Sequence, residues 1–391
     1  MKKSKRINLF SYLNKPILIF MILFAIGGAF LILDASSISS VLTYGLDSPY
    51  FFFKRQLLFV AFSLCISIFI IKYPTKYYKK TFGFLSLFFI VLILIIYTSN
   101  KLFSTGVNEV TLKISKFTFQ PAEFLKIFIV IYMGAYYDSW INNPNHGKWT
   151  FLWPLILCAI SCALILFAGD YGSAALMMAL FALVFISIPS KEKLIRIFKG
   201  VAIFGLIICT LGLKYLYLVV PESMLEKDYR LNRLNYRHPC DRYEEDSGYQ
   251  VCNGYIAIDN GGLSGAGIGN SIQKYLYLPA SHTDFIFPIV VEEFGSLVGI
   301  AIIICYIIII FLIFKVAVNS HKLQNSITCY GIGIYIMLHI FINLGGVLGI
   351  IPLTGVPLPF LSYGGSFCIA LLCSIAVVQR INIENRIEKH K

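Results

Sequence analysis

The sequence predicts an all-α, polytopic membrane protein with about ten membrane-spanning helices. Hydrophobic residues make up 58% of the 391 residues and charged residues only 14%, and the mean hydropathy is +0.76. A water-soluble domain of this size carries more charge on its surface. Apolar windows long enough to cross a hydrocarbon core of about 30 Å lie near residues 16–37, 56–73, 82–98, 120–137, 151–168, 172–188, 200–220, 285–314, 327–348 and 360–379.

Basic residues cluster at one end of these windows. Because the number of windows is even, both termini are expected on that side of the membrane, and the positive-inside rule makes it the cytoplasm. This pattern explains the net charge of +13 without nucleic-acid binding. The basic segments are residues 1–6, 73–80 and 190–200, Lys315 with Lys322, and the tail from Arg380.

One long loop is expected on the outer side, at about residues 221–283, between the seventh and eighth helices. The other outer loops are shorter and lie at residues 39–55, 99–119, 169–171 and 349–359. The basic start has no small-residue cleavage site behind it, so a cleaved signal peptide is not predicted. Cys240 and Cys252 both lie in the long loop. They form a disulfide only if this loop faces an oxidising compartment, which the sequence leaves open. Residues 1–391 are predicted to form a single integral domain.

Three acids stand just before an uncharged run at residues 294–314, and this run places them at the outer rim of the membrane. Asp284 is either an N-cap or a general base with a raised pKa. At 100° per residue, Glu292 lies about 80° from Asp284 and Glu293 about 180°. We therefore expect Glu292 to line the same cavity as Asp284, and Glu293 to be structural.

Other ionisable residues sit at the outer ends of the predicted helices, where each is a functional candidate. Glu123 and Lys126 are three residues apart and form either a packing ion pair or part of a site. Asp170 either caps the sixth helix or joins that site. Arg55, beside Lys54, suits an anionic headgroup or a diphosphate, although basic side chains at helix ends also snorkel.

Two irregular segments are also candidates. The glycine-rich run 259–274, which ends in Lys274, is typical either of a phosphate cradle or of a flexible turn. Residues 349–367 contain several prolines and glycines, and broken backbone at membrane depth is tolerated only inside protein or along a cavity. We therefore predict a re-entrant or gating loop, and include its Ser362 among the substrate-binding candidates.

Four motifs, in this order along the chain, resemble those of the SEDS family (FtsW/RodA/SpoVE). They are QPAEFLKI (120–127), GIGNSIQKYLYLP (267–279), HTDFIFPIVVEEFG (282–295) and VPLPFLSYGGS (356–366). The resemblance spans nearly the whole chain, and the NSIQK segment is more similar to the division and sporulation branch. It implies a peptidoglycan glycosyltransferase of the bacterial cytoplasmic membrane that polymerises lipid II outside it with inversion. It also implies a class B penicillin-binding protein and other divisome proteins as partners, and a septal role.

The resemblance also assigns residues. It implies that Asp284 is the catalytic acid residue of the HTDF motif, that Glu123 and Lys126 belong to the QPSExxK motif, and that Asp170 belongs to the PDxGTA motif. Arg55, Lys126 and Lys274 are our candidates for neutralising phosphate, and Glu292 and Ser362 complete the predicted substrate site. The chain departs from the usual pattern of the family at two places. It has VNEVTLKI (107–114) where the family has an NGAxRWI-like segment, and Ala122 where the family has serine.

Three alternatives remain open from the sequence. A flippase for lipid II requires ionisable groups along a path through the midplane, whereas here they are expected at the outer side above an apolar inner half. A non-catalytic scaffold predicts that Asp284→Ala supports growth. An elongation or sporulation paralogue shares the chemistry. The sequence shows no metal-ligand cluster, so no cofactor is predicted, and assistance by a divalent cation stays open.

Overall fold

The computed structural model describes residues 9–103, 111–114, 117–143, 145, 147–219, 238–244, 246–275, 277–279 and 281–389. Within them the chain forms twelve α-helices and one antiparallel hairpin. The helices are α1 (Lys15–Leu42), α2 (Phe51–Lys72), α3 (Tyr78–Phe103), α4 (Pro121–Ile141), α5 (Leu152–Phe167), α6 (Tyr171–Ser187), α7 (Lys193–Val219), α8 (Asp246–Gly261), α9 (Ile286–Phe294), α10 (Ser296–Val318), α11 (Leu323–Val347) and α12 (Gly365–Lys389). The strands are β1 (Leu112–Ile114) and β2 (Phe117–Phe119).

Each of the ten predicted windows overlaps one of these helices, except that the window at 285–314 overlaps two. Eight of them, α1–α4, α7 and α10–α12, are long and apolar enough to cross a membrane. The shorter apolar helices α5 and α6 complete the set. The prediction of about ten spans is confirmed, because a continuous apolar length of this kind has few other stable environments.

Both described ends of the chain lie at the same end of the bundle. The backbone amide of Asn14 donates to Gln379 Oε1 at 2.8 Å, and the side-chain amide of Asn382 donates to the Tyr12 carbonyl at 2.9 Å. This is the arrangement that an even number of crossings requires. That this end faces the cytoplasm stays a prediction, and on that assignment the opposite end is called the outer end.

Helix α12 occupies the centre of the bundle, with 94% of its apolar window buried. It continues as a helix past Arg380 to Lys389, and the cytoplasmic location of this basic segment stays a prediction. Arg380 is buried, and its guanidinium donates to Glu384 at 2.8 Å and to the Ile71 carbonyl at 3.0 Å. A charged residue is tolerated there because each of these groups has a partner.

The window predicted at 285–314 is two helices rather than one. Helices α9 and α10 are separated at Gly295, whose φ of 85° and ψ of 163° lie in a region that only glycine adopts readily. The hydropathy pattern does not detect the break, because both flanking segments are apolar.

The long outer loop contains a helix that the sequence analysis did not predict. Its residues 220–237 lie outside the described part of the chain. Beyond them, a 3-10 helix (Pro239–Arg242) and α8 are joined by a disulfide between Cys240 and Cys252. The hairpin β1–β2 lies in the loop predicted at 99–119, and residues 107–110 of the departing VNEVTLKI segment are not among those described.

The segment between α11 and α12 descends into the bundle, as a re-entrant loop does. Gly28, at the middle of α1, lies against the Phe360 carbonyl so closely that a Cβ there would be 2.0 Å from the oxygen. The Tyr306 hydroxyl, well inside α10, donates to the Pro359 carbonyl at 2.5 Å. Irregular backbone at this depth is buried against protein, as a membrane interior requires. The predicted gating role is not tested.

Candidate functional site

Most of the predicted site residues lie in three groups at the outer end of the bundle, together with residues that were not predicted. The first surrounds the turn of residues 281–285, which carries Asp284. The second, here called the carboxylate cluster, consists of Asp34, Lys274 and Glu293. The third is the ion pair of Glu123 with Lys126 at the start of α4.

Asp284 lies in the turn that precedes α9, not inside the helix. The N-cap of α9 is Phe285, which makes no side-chain capping bond, so the capping alternative for Asp284 is wrong. Its side chain is half-buried, and its Oδ1 accepts a hydrogen bond of 2.8 Å from the Thr283 hydroxyl. The carboxylate therefore stands at the edge of the protein rather than in its core.

Ser362 of the re-entrant loop holds the backbone of this turn. Its hydroxyl donates to the Thr283 carbonyl at 2.5 Å and accepts from the Leu358 backbone amide at 2.8 Å. The next residue, Tyr363, donates its backbone amide to the His282 carbonyl at 2.9 Å. The structure thus places Ser362 against the turn that carries Asp284. Its hydroxyl already has backbone partners, and its predicted contact with substrate is not tested.

An aromatic wall connects the turn to Arg55. The His282 ring lies 4.5 Å from the Phe52 ring, and Phe52 lies 4.9 Å from Tyr363. The Arg55 guanidinium stacks 4.5 Å over the Phe51 ring and interacts electrostatically with the Tyr363 side chain. Arg55 is therefore positioned beside the turn, held by an aromatic stack as well as by a polar contact.

Burial among these rings lowers the pKa of His282 to about 4, because the charged imidazolium is disfavoured away from water. The imidazole is therefore neutral at physiological pH.

The carboxylate cluster joins α1, the glycine-rich run and α9. Lys274 Nζ lies 2.9 Å from Asp34 Oδ1 and 2.5 Å from Glu293 Oε1. Burial lowers the pKa of Lys274, but hydrogen bonds to Glu293 and Asp34 outweigh this effect and raise it above its usual range. The Lys274 ammonium group thus faces two carboxyl groups. These two carboxyl groups compete with a phosphate for the ammonium group, and the phosphate-binding role of Lys274 stays a prediction.

Asp34 was not among the predicted site residues. It is an acid inside the apolar stretch of α1, in the segment LILDAS. The rule that every ionisable residue in a membrane helix is a functional candidate was sufficient to find it.

Glu292 organises the loop in front of α9. One of its carboxylate oxygens accepts from the Asn260 side chain at 3.2 Å and from the Ile272 backbone amide at 3.1 Å, and the other accepts from the Ser271 hydroxyl. Glu292 was expected to share a cavity with Asp284 because both were placed on one continuous helix. That premise is wrong, because α9 begins at Ile286, after Asp284. A contact with substrate stays a prediction.

The glycine-rich run packs its backbone onto the junction of α9 and α10. The amides of Ala266 and Gly267 donate to the carbonyls of Glu292 and Glu293 at 2.9 and 3.0 Å. A Cβ at Gly265 would lie 2.2 Å from the Glu293 carbonyl oxygen. These glycines are explained by close approach of two backbones, and these two amides are not available to a phosphate.

A cleft of about 520 Å³ adjoins the carboxylate cluster. It opens between α1, the turn before α2 and the glycine-rich run. Apart from Asp34 and Ser37, its walls are largely apolar, and they are formed by Phe30, Leu31, Leu33, Pro49, Tyr50, Ile268 and Phe294.

The third group is buried in the bundle. Lys126 Nζ lies 2.8 Å from Glu123 Oε1, with 1% and 4% of the two side chains exposed, and the Tyr335 hydroxyl donates to Glu123 Oε2 at 3.4 Å. The predicted pairing within one helical turn is confirmed. Because both charges are buried, the pair is held by its mutual contact and by Tyr335.

Asp170 is the N-cap of α6 and accepts from the Ser173 amide at 3.0 Å, as the capping alternative predicted. Its second oxygen accepts from the Gln120 side chain at 3.4 Å, which links it to the start of α4. A contact with substrate is not tested. Among the residues that the structure describes, no group of three His, Cys, Asp or Glu side chains is arranged to hold a metal ion.

Comparisons with known proteins agree with this arrangement. Residues 14–387 match the FtsW/RodA/SpoVE family, described as cell cycle proteins. A Wigglesworthia glossinidia brevipalpis protein named a probable peptidoglycan glycosyltransferase FtsW is 32% identical over 100% of this chain and 98% of its own length. The Bacillus subtilis protein of the same name is 33% identical over 96% and 92%.

Two solved structures share the fold. A chain from a peptidoglycan synthase complex that coordinates polymerization and crosslinking superposes with a TM-score of 0.69 at 18% identity, over 95% of this chain and 98% of that one. The Thermus thermophilus rod shape determining protein RodA gives 0.62 at 16% identity, over 95% and 96%.

Proposed function

This chain belongs to the FtsW/RodA/SpoVE family of cell cycle proteins, and from that premise we propose that it is a peptidoglycan glycosyltransferase. It is a multi-pass protein of the bacterial cytoplasmic membrane. Its substrate is lipid II, polymerised into glycan strands at the outer face. Relatives that match almost its whole length carry the glycosyltransferase name, which supports the activity.

The reaction sets three chemical requirements. The 4-hydroxyl of an N-acetylglucosamine attacks C1 of an N-acetylmuramic acid, forms a new C1–O bond and inverts that carbon. The bond to undecaprenyl diphosphate breaks, and the diphosphate leaves with the bonding electrons. The site therefore needs a base for the hydroxyl proton, positive charge for the leaving group and an apolar path for the lipid.

The observation that carries the proposal is the setting of Asp284. Its carboxylate is half-buried at the outer end of the bundle, on a turn whose backbone is tied to the re-entrant loop by Ser362 and Tyr363. A general base must be both accessible to the substrate hydroxyl and fixed in position. Asp284 meets both conditions and is our proposed base.

Arg55 is the best-placed cation for the diphosphate. It lies beside the 281–285 turn through Tyr363, and its planar guanidinium suits phosphate oxygens. The other two candidates, Lys126 and Lys274, are each paired with buried carboxylates, which compete for the same ammonium groups.

The distribution of charge disfavours a flippase. Helices α5, α6 and α11 contain no Asp, Glu, Lys or Arg. At the inner end, Arg380 and Glu384 pair with each other at 2.8 Å. Glu384 also accepts from Thr75 at the inner surface. The inner and outer charges thus form separate groups rather than a path between them.

The partner we propose is a class B penicillin-binding protein. Support comes from the shared fold with a chain of a peptidoglycan synthase complex. We further propose a septal role, alongside other divisome proteins, because the matching relatives are FtsW proteins. Depletion followed by microscopy tests this role: filaments indicate septal synthesis, whereas rounded cells indicate elongation.

Replacing Asp284 by asparagine tests the catalytic assignment. Loss of a general base lowers a rate by roughly 10²–10⁴-fold, so we expect kcat for polymerisation of fluorescent lipid II in proteoliposomes, with the partner present, to fall by at least about 100-fold. Binding of lipid II should persist. Asp259→Asn is the control, because Asp259 is an exposed outer carboxylate on α8. Full activity of Asp284→Asn would refute the assignment.

A further inference from the structure

Three consecutive backbone carbonyls of the 281–285 turn accept hydrogen bonds from outside the turn. The carbonyl of His282 is bound by the Tyr363 amide and that of Thr283 by the Ser362 hydroxyl. The carbonyl of Asp284 itself is bound by the side-chain amide of Asn343 at 2.8 Å. The last of these contacts holds the backbone of Asp284, whose carboxylate is the proposed base.

Asn343 differs from the other two donors because it belongs to a membrane-spanning helix, α11. Its amide nitrogen also donates to the Val356 carbonyl at 2.8 Å. One buried side chain, 3% exposed, therefore joins α11, the re-entrant loop and Asp284. Both acceptors are carbonyl oxygens, so the NH₂ end of the amide must face them.

The position of α11 beside the turn is itself fixed by polar contacts. Tyr335, His339 and Asn343 are spaced four residues apart and so share one face of the helix. Tyr335 contacts Glu123, and His339 Nδ1 lies 3.4 Å from the Pro357 carbonyl. The His339 ring stacks on Phe367 with 4.7 Å between centroids. Asn343 thus projects from a helix that has little freedom to shift.

We propose that Asn343 is a positioning residue for Asp284, a role that rests on the proposed function of Asp284 as the base. It acts through the peptide carbonyl: by holding that oxygen, it fixes the backbone from which the carboxylate projects. Small displacements of a reacting group are enough to slow a reaction by orders of magnitude. Asn343 therefore contributes to the rate of the chemical step without touching the substrate.

Asn343→Leu removes both donors while keeping a side chain of similar size. We expect kcat for fluorescent lipid II in proteoliposomes, with the partner penicillin-binding protein, to fall by about 10- to 100-fold, and KM to stay within about twofold of the unaltered protein. The matched control is Asn382→Leu. Asn382 is also buried and donates to a backbone carbonyl, that of Tyr12 at 2.9 Å, but at the opposite end of the bundle.

A purely structural role predicts that both variants lose thermal stability and activity to similar extents. The proposed role predicts similar losses of stability but a loss of kcat only for Asn343→Leu. A kcat for Asn343→Leu within about twofold of the unaltered protein, or a change confined to KM, would overturn the inference. If the leucine variant does not fold, Asn343→Ala removes the same donors and is judged by the same criteria.

Combining the change with Asp284→Asn separates this inference from the proposed function. If Asn343 acts through Asp284, the double variant keeps the residual rate of Asp284→Asn, because the two effects are not additive. A further fall by the full factor of Asn343→Leu would show an independent role and overturn the inference. If Asp284→Asn alone keeps full activity, the proposed function fails. If Asp284→Asn is inactive and Asn343→Leu fully active, only the present inference fails.

Discussion

His282 shows how a single residue of the proposed active site is held by burial rather than by charge. Its side chain is 3% exposed, with the Phe52, Tyr363 and Tyr44 rings around it. This packing lowers the pKa of His282 from 6.5 to about 4. A neutral imidazole adds no positive charge beside the Asp284 carboxylate, which we propose as the base.

The depressed pKa makes stability depend on pH in a defined direction. In the unfolded chain, His282 takes up a proton below about pH 6.5, whereas in the folded protein it does so only near pH 4. The contribution of neutral His282 to the free energy of unfolding is therefore fully present above pH 6.5 and is lost as the pH falls towards 4. Between pH 7 and pH 5 the loss is about 2 kcal/mol.

His282→Phe keeps the aromatic packing and removes the titration. We therefore expect the free energy of unfolding of this variant to fall less than that of the unaltered protein between pH 7 and pH 5, as measured by denaturation in detergent micelles at both pH values. The control is His321→Gln, because His321 is exposed at the inner end. Equal pH dependence for the Phe variant and the unaltered protein would contradict the prediction.

At the scale of elements, the break between α9 and α10 joins the acids to the glycine-rich run. The Ser296 amide donates to the Gly262 carbonyl at 2.9 Å, and a Cβ at Gly295 would lie 2.3 Å from the Leu263 carbonyl oxygen. The break therefore exists because two backbones meet there. It also turns the carboxylates of Glu292 and Glu293 towards residues 260–274.

Gly295→Ala should consequently be strongly destabilising. The substitution combines a backbone conformation that costs about 1–3 kcal/mol with a backbone clash, so we expect a loss of about 3 kcal/mol or more in the free energy of unfolding. Gly262→Ala is the matched control. Gly262 also has a positive φ, 51°, but a Cβ there meets nothing within 4 Å, so its cost should be about 1 kcal/mol. Equal losses in a denaturant titration would show that the close approach contributes nothing.

The elements that could be predicted from the sequence are those set by local composition. The ten spans follow from apolar length, and the pairing of Glu123 with Lys126 and the cap at Asp170 follow from spacing within one helical turn. The break at Gly295, the hydrogen bonds of Asn343 and the pairing of Lys274 with Asp34 depend on contacts between distant segments. Hydropathy and helical geometry do not contain that information. Asp34, by contrast, could have been predicted as a functional candidate, because every ionisable residue within a membrane-spanning helix is one.

At the scale of the whole molecule, two polar ends are separated by an apolar bundle around α12. The inner end joins the two chain ends through Gln379 and Asn382, and the outer end holds the three groups of predicted site residues. A polymerase of lipid II at the outer face requires the second end to lie outside. Positive charge in the inner loops favours that orientation, and the proposed function depends on it.

The disulfide between Cys240 and Cys252 provides a test of this orientation. Disulfides persist in oxidising compartments and are rare in the cytoplasm, so the loop that carries this one should be reachable from outside. In spheroplasts, an impermeant reductant followed by an impermeant maleimide should label two cysteines that do not react before reduction. The Cys240→Ser, Cys252→Ser double variant should lose this signal, since it keeps the eight free cysteines of the remaining described chain. If labelling required permeabilised membranes, the loop would face the cytoplasm, Asp284 would lie on the inner side, and polymerisation at the outer face would be excluded.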